Sequence, residues 1–112
     1  ERANLQEANL QEAKLVGAKL ERAKLERAKL ERAYLIEANF QGANLQGANF
    51  QEANLEGVNL EGANLEGANL EGAKHLSIDQ LSKVKTLLNA KLDNELLIPL
   101  KKKYPALFKV SD

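Results

Sequence analysis

Enzymatic chemistry needs a nucleophile or a polarised acid–base pair held in a cleft. This sequence offers few residues for one. His75 is the only histidine and there is no cysteine, so disulfides and thiolate chemistry are excluded. A zinc site takes about four ligands, and neither a second His nor any Cys exists to join His75. Ser77, Ser82 and Ser111 sit in no nucleophile motif. Glutamates are plentiful, but each outward Glu has Lys or Arg nearby, which is a poor setting for paired-carboxylate catalysis. The seven glycines recur at five-residue multiples rather than clustering as a phosphate loop. Thr86 is the only threonine and falls in an expected helix, so the flat Thr arrays of an ice-binding surface are not available. The expectation is a non-enzymatic chain with no catalytic residue, no cofactor and no metal.

Composition points the same way. The 112 residues suit one small domain, and 16 basic residues balance 16 acidic ones. No global charge draws the chain to nucleic acid or to an anionic membrane. No apolar run approaches the roughly 20 residues of a membrane span, so membrane insertion is not expected. A cytoplasmic setting is expected. The chain starts inside a repeat without methionine, which leaves an exported or lumenal protein open.

The organisation lies in a repeat. Residues 1–75 divide into fifteen blocks of five, running from ERANL and QEANL to EGANL and EGAKH. The third position is Ala in every block but one, which has Val58. The fifth is Leu except at Phe40, Phe50 and His75. The other three positions are mostly polar.

Neither regular element satisfies this spacing. On an α-helix a five-residue step rotates the Leu by roughly 140°, so no apolar face forms. On a strand, five is odd and successive Leu side chains point to opposite faces. Within one block, however, positions three and five share a face. The chain must therefore turn once per block, and turns near 90° close a coil in four blocks. Val16 and Ile36 support that count. They replace Glu or Gln at the first position and lie 20 residues apart, which stacks them on one outer corner.

The phrases ANLQE, ANFQG and ANLEG resemble the pentapeptide repeat family, whose motif runs Ala, Asp or Asn, Leu or Phe, then two variable residues. The resemblance covers residues 1–75. It implies a right-handed quadrilateral β-helix. The expected fold is thus mainly β: a parallel β-helix solenoid of about four coils over 1–75, capped by C-terminal α-helices over 76–112. The residue after Ala departs from the family pattern. It is never Asp, but Asn in nine blocks, Lys at Lys14, Lys19, Lys24, Lys29 and Lys74, and Tyr at Tyr34. The best-known members of the family mimic DNA, bind topoisomerases and are rich in acidic residues.

Mimicry fits this charge pattern poorly. Residues 1–75 hold twelve Glu against nine Lys or Arg, while duplex DNA as long as their coils, about 18 Å, carries about ten negative charges. Glu56, Glu61, Glu66 and Glu71 fall one to each side of a coil, a ring rather than a stripe, and Arg22, Arg27 and Arg32 circle the second coil in the same way. The basic band from Lys14 to Arg32 alternates with Glu21, Glu26 and Glu31, which suggests a solvated, self-paired surface. Val16, Tyr34 and Ile36 form the one apolar break in the outer wall and are the candidate surface patch.

Stacking at 20 residues predicts inward columns such as Leu5–Leu25–Leu45–Leu65 and Leu15–Leu35–Leu55–His75, the last ending on a polar residue where the cap docks. Ser77 and Gln80 match the S-x-x-Q capping box. Ile78, Leu81, Val84, Leu87 and Leu88 then share one helical face, so a helix is predicted up to Asn89. Ala90-Lys91-Leu92 echoes the repeat. Asp93 is placed to cap a second helix through about Lys103, with a kink or split near Ile98 because Pro99 removes a donor. Leu107, Phe108 and Val110 are expected to fold back on the core.

The functional reading is an interaction scaffold for an unidentified protein partner, with no nucleic acid expected as a ligand. Regulation of a topoisomerase-type enzyme by DNA mimicry is the alternative. The N-terminal coil has no predicted cover, which suggests a homodimer through that end. Sedimentation equilibrium tests this: a concentration-dependent rise to twice the monomer mass is expected, and a monomer at high concentration sinks it.

Overall fold

The computed structural model describes residues 3–110. The first two residues of the predicted repeat, Ser111 and Asp112 lie outside them. The fold is built by one hydrogen-bonding register. Fourth-position residues pair in parallel with those 20 further on: Asn4 with Lys24, Lys24 with Asn44, Asn44 with Asn64, and likewise on the other three sides. In each pair the backbone bonds run both ways. Leu25 N–H donates to Asn44 C=O at 2.8 Å, and Asn44 N–H donates to Ala23 C=O at 2.9 Å. A 20-residue register with five-residue blocks gives four sides per coil.

Each side carries one bridge, and no continuous strand forms among the described residues. This corrects the expectation of a mainly β chain in its detail. Two of every five residues are used in turning, which leaves too little extended backbone for a strand. The turns are regular. Ala28 N–H donates to Leu25 C=O at 3.0 Å, closing a four-residue turn through Glu26 and Arg27. Arg27 has φ +58°, the left-handed value that a type II turn demands at its third residue. The same position carries Gly in seven blocks, with φ from +68° to +72°.

The interior is filled. The Ala and Leu of the central coils are shielded from solvent, from Ala23 and Leu25 to Ala68 and Leu70. Phe40 and Phe50 meet edge to face, with centroids 6.1 Å apart and planes at 89°, an arrangement that adds to plain burial. Leu5, Leu10, Leu15 and Leu20 of the first coil are only partly buried.

The C-terminal region departs from expectation in several places. The first helix, α1, spans only Ile78–Ser82. After it the chain re-enters the coil: Thr86 pairs with Asn64 and Lys91 with Asn69, at a register of 22. Thr86 is therefore part of a coil and not of a helix. Leu87 and Leu92 fill inward positions there. The helical spacing of Leu81, Val84 and Leu87 misled because coil and helix both bury those residues. His75 is exposed with φ +63° and sits in a turn. It does not end the Leu15–Leu35–Leu55 column; the half-buried Leu76 packs against the core instead.

The capping box forms. The Ser77 hydroxyl accepts from Gln80 N–H at 3.1 Å, and Gln80 Oε1 accepts from Ser77 N–H at 2.8 Å. Gln80 Nε2 also donates to Leu55 C=O and Val58 C=O at 2.9 and 3.0 Å. Helix α1 thus satisfies carbonyls of the coil it covers. Helix α2 spans Asn94–Lys103 without a split, so Pro99 is accommodated within it. The Asp93 carboxylate accepts from Gly72 N–H at 3.1 Å rather than from the helix that follows it. A 3-10 turn at Pro105–Phe108 follows, and Leu107 C=O accepts from Leu87 N–H at 2.7 Å. Leu107 and Phe108 pack on the core, whereas Val110 is exposed. No helix of the described residues is long and apolar enough to cross a membrane.

Because the wall is thin and every inward column continuous, Leu65→Ala leaves a cavity that neighbouring coils cannot close. We expect a loss of about 2–5 kcal/mol, read from the denaturant midpoint of circular dichroism; a change below 1 kcal/mol, on the order of a surface substitution, contradicts the packing described.

Candidate interaction surface

With the interior closed, the outer wall is where a partner can be met. At most sides that wall is maintained by Asn. Each fourth-position Asn from Asn4 to Asn69 accepts, through Oδ1, from the backbone N–H two residues on, at 2.9–3.2 Å. This side-chain bond supports the turn at each corner. Thr86 does the same after the helix, its hydroxyl accepting from Leu88 N–H at 3.1 Å.

The structure brings two of the three patch residues together. Gly17 N–H donates to Ile36 C=O at 2.8 Å, so Val16 and Ile36 occupy successive levels of one corner. Val16 is 62% exposed; Ile36 is half-buried. Tyr34 lies on the adjoining side, in a column with Lys14, Asn54 and Lys74, and is 48% exposed. A shallow groove of about 170 Å³ runs beside it, lined by Arg32, Glu52, Asn54 and Lys74.

The basic band separates into two populations. Arg27 pairs with Glu7 at 2.9 Å and Arg32 with Glu12 at 3.1 Å, each across one coil. Glycine makes room for these stems. A Cβ on Gly47 would stand 3.1 Å from Arg27 Cγ, and one on Gly42 3.1 Å from Arg22 Cγ. The lysines, by contrast, are exposed and make no ion pair among the described residues. The neighbouring glutamates turn elsewhere: Glu21, Glu26 and Glu31 accept from the amides of Asn39, Asn44 and Gln11 at 3.1–3.2 Å. Hydrogen bonding to its own backbone, with a smaller pull from Lys19, holds the Glu21 carboxyl below its usual value. Sequence order hid this division, because the partners are 18 or 20 residues apart. The coil rung at 85–92 was legible only in part; L-L-N-A-K-L at 87–92 matches L-E-G-A-N-L in every structural slot.

A family model for pentapeptide repeats matches residues 3–42 and 38–74, with 8 copies. The chain belongs to the pentapeptide repeat family. This pentapeptide repeat protein is similar to Rfr23 from the cyanobacterium Cyanothece 51142, at 44% identity and a TM-score of 0.73, over 82% of this chain and 62% of that protein. It spans, then, less than two thirds of that relative's length. A pentapeptide repeat protein of the Arabidopsis thaliana thylakoid lumen is 22% identical, over 89% of this chain and 75% of its own, with a TM-score of 0.47. HetL, involved in heterocyst differentiation regulation in Nostoc sp. strain PCC 7120, is 33% identical over 81% of this chain and 49% of its own, at a TM-score of 0.39. No curated protein sequence matches. The likeness to Rfr23 makes the solenoid a right-handed β-helix.

Where Lys replaces Asn, the turn loses an acceptor. Lys24→Asn should therefore stabilise the fold by about 0.5–1.5 kcal/mol, through a new bond from Glu26 N–H. A denaturant midpoint that falls instead shows that the lysine stem contributes more than the turn bond does.

Proposed function

We propose that this chain is a non-enzymatic, protein-binding scaffold: a right-handed quadrilateral β-helix rod whose end is sealed by the segment after residue 75. The observation that carries this reading is the filled interior. Alanine, leucine and phenylalanine columns occupy the axis, so the rod offers partners only its outer wall. Along that wall the Val16–Ile36 corner, with Tyr34 on the adjoining side, is the apolar break and our candidate contact, although the patch is smaller than the few hundred Å² that mark an interface by area alone. The cytoplasm is the compartment this reading assumes. Glu56, Glu61, Glu66 and Glu71 encircle the rod, which argues against the lengthwise charge ladder that DNA mimicry requires.

Affinity capture from the native source tests the corner. The wild-type chain should retain a partner that a folded Val16→Glu/Ile36→Glu variant loses. If the two sets of captured proteins are the same, that corner is not the interface.

A further inference from the structure

One turn of the rod lacks three stabilising devices. Lys14, Lys19, Lys24, Lys29 and Tyr34 stand where Asn would support the corner. Arg22, Arg27 and Arg32 hold φ of +56° to +58°, a conformation that glycine enters without the penalty of a Cβ. The Oε1 atoms of Glu26 and Glu31 are shut off from solvent with no donor, which is unfavourable for a carboxylate. Natural proteins depart from such local rules chiefly where function requires it. What this turn has instead is charge: within residues 14–35 there are seven cations against three carboxylates.

The four lysines among these cations are available. Arg27 and Arg32 are engaged by Glu7 and Glu12. The lysines are exposed, one to each of four successive sides, while the belt's own carboxylates are tied to amides of the wall. Two coils on, Glu56, Glu61, Glu66 and Glu71 form the opposite ring, so an anionic ligand is confined to the belt.

The ring shape selects the ligand. A bilayer, a DNA duplex or a second rod meets one side at a time, and hence about one belt lysine. Only a flexible chain can bend round a corner and reach two or more. Single-stranded nucleic acid is flexible, but its sites depend on successive aromatic platforms, and Tyr34 is the one aromatic at an outward position of the belt. We propose that the belt of Lys14, Lys19, Lys24 and Lys29 binds a flexible acidic segment of a partner protein, laid across the rod rather than along it. This rests on the protein-binding reading but uses charge rather than the apolar corner. Loss of the Val16–Ile36 result would leave it standing, and the reverse also holds.

Titration of the intact chain with a fluorescent oligoglutamate peptide at low salt tests it. The Lys14→Asn/Lys19→Asn/Lys24→Asn/Lys29→Asn variant restores the family's turn residue and should remain folded, while its affinity falls by about tenfold or more. The corresponding four Lys→Arg changes keep the charge and should keep binding, which separates charge from structure if the Asn variant fails to fold. Lys101→Asn/Lys102→Asn/Lys103→Asn, on the cap, should bind as the wild type does. The proposal is overturned if the cap variant loses as much as the belt variant, if the folded belt variant binds as tightly as the wild type, if the wild type does not bind the peptide at all, or if a single-stranded oligonucleotide of equal charge binds more tightly than the peptide.

Discussion

The backbone hydrogen bond between a residue and its counterpart 20 positions on is what the structure depends on. A side of five residues cannot bury its own apolar pair or satisfy its own amides. Stacked on the next coil it does both. The bond at Leu25 and Asn44 recurs around the rod, and it places Ala over Ala and Leu over Leu without further specification. Stability in such an array is nearly local, a sum of rungs and the contacts between neighbours. That leaves the outward positions free to vary, provided the corners still turn.

The corners show how that freedom is used. Asn at the outward position and Gly after the turn's second residue make an inexpensive corner, as at Asn44 and Gly47. Lys24 followed by Arg27 makes a less favourable one with more charge. The two kinds of corner are segregated along the axis rather than mixed. The C-terminal coils carry Asn, Gly and Glu; the second coil carries Lys and Arg. The rod therefore has a stable, acidic stretch beside a more strained, basic one, on a single unchanging core.

Most of the architecture was legible because the inward slots tolerate so little. Ala, Leu and Phe recur at two fixed positions, and the 20-residue repeat of Val16 and Ile36 already implied four sides. The cap was harder to read. Ile78, Leu81, Val84 and Leu87 satisfy a helical stripe and an inward coil column equally well, and only the L-L-N-A-K-L phrase at 87–92 distinguishes them. His75 looked inward by block position, yet the chain leaves the coil there through a left-handed residue. The surface was the least legible part. Ion pairs such as Arg27 with Glu7 join residues that no local window contains, and the glutamates next to the lysines in sequence are occupied by amides from another coil. The Val16, Tyr34 and Ile36 patch could be named from block position and the 20-residue spacing, but its meaning depends on a partner.

The change of register from 20 to 22 residues at Thr86 and Lys91 has a consequence for growth. A repeating thread with an open end is a template on which further chains can polymerise. Here the last rungs are out of phase with the rest, α1 occupies the place of one side, and Leu107 already bonds to the edge at Leu87. A second molecule arriving at this end would find the wrong pitch. The helical insertion thus breaks the thread locally: at this edge the spacing that end-on addition would copy is no longer present.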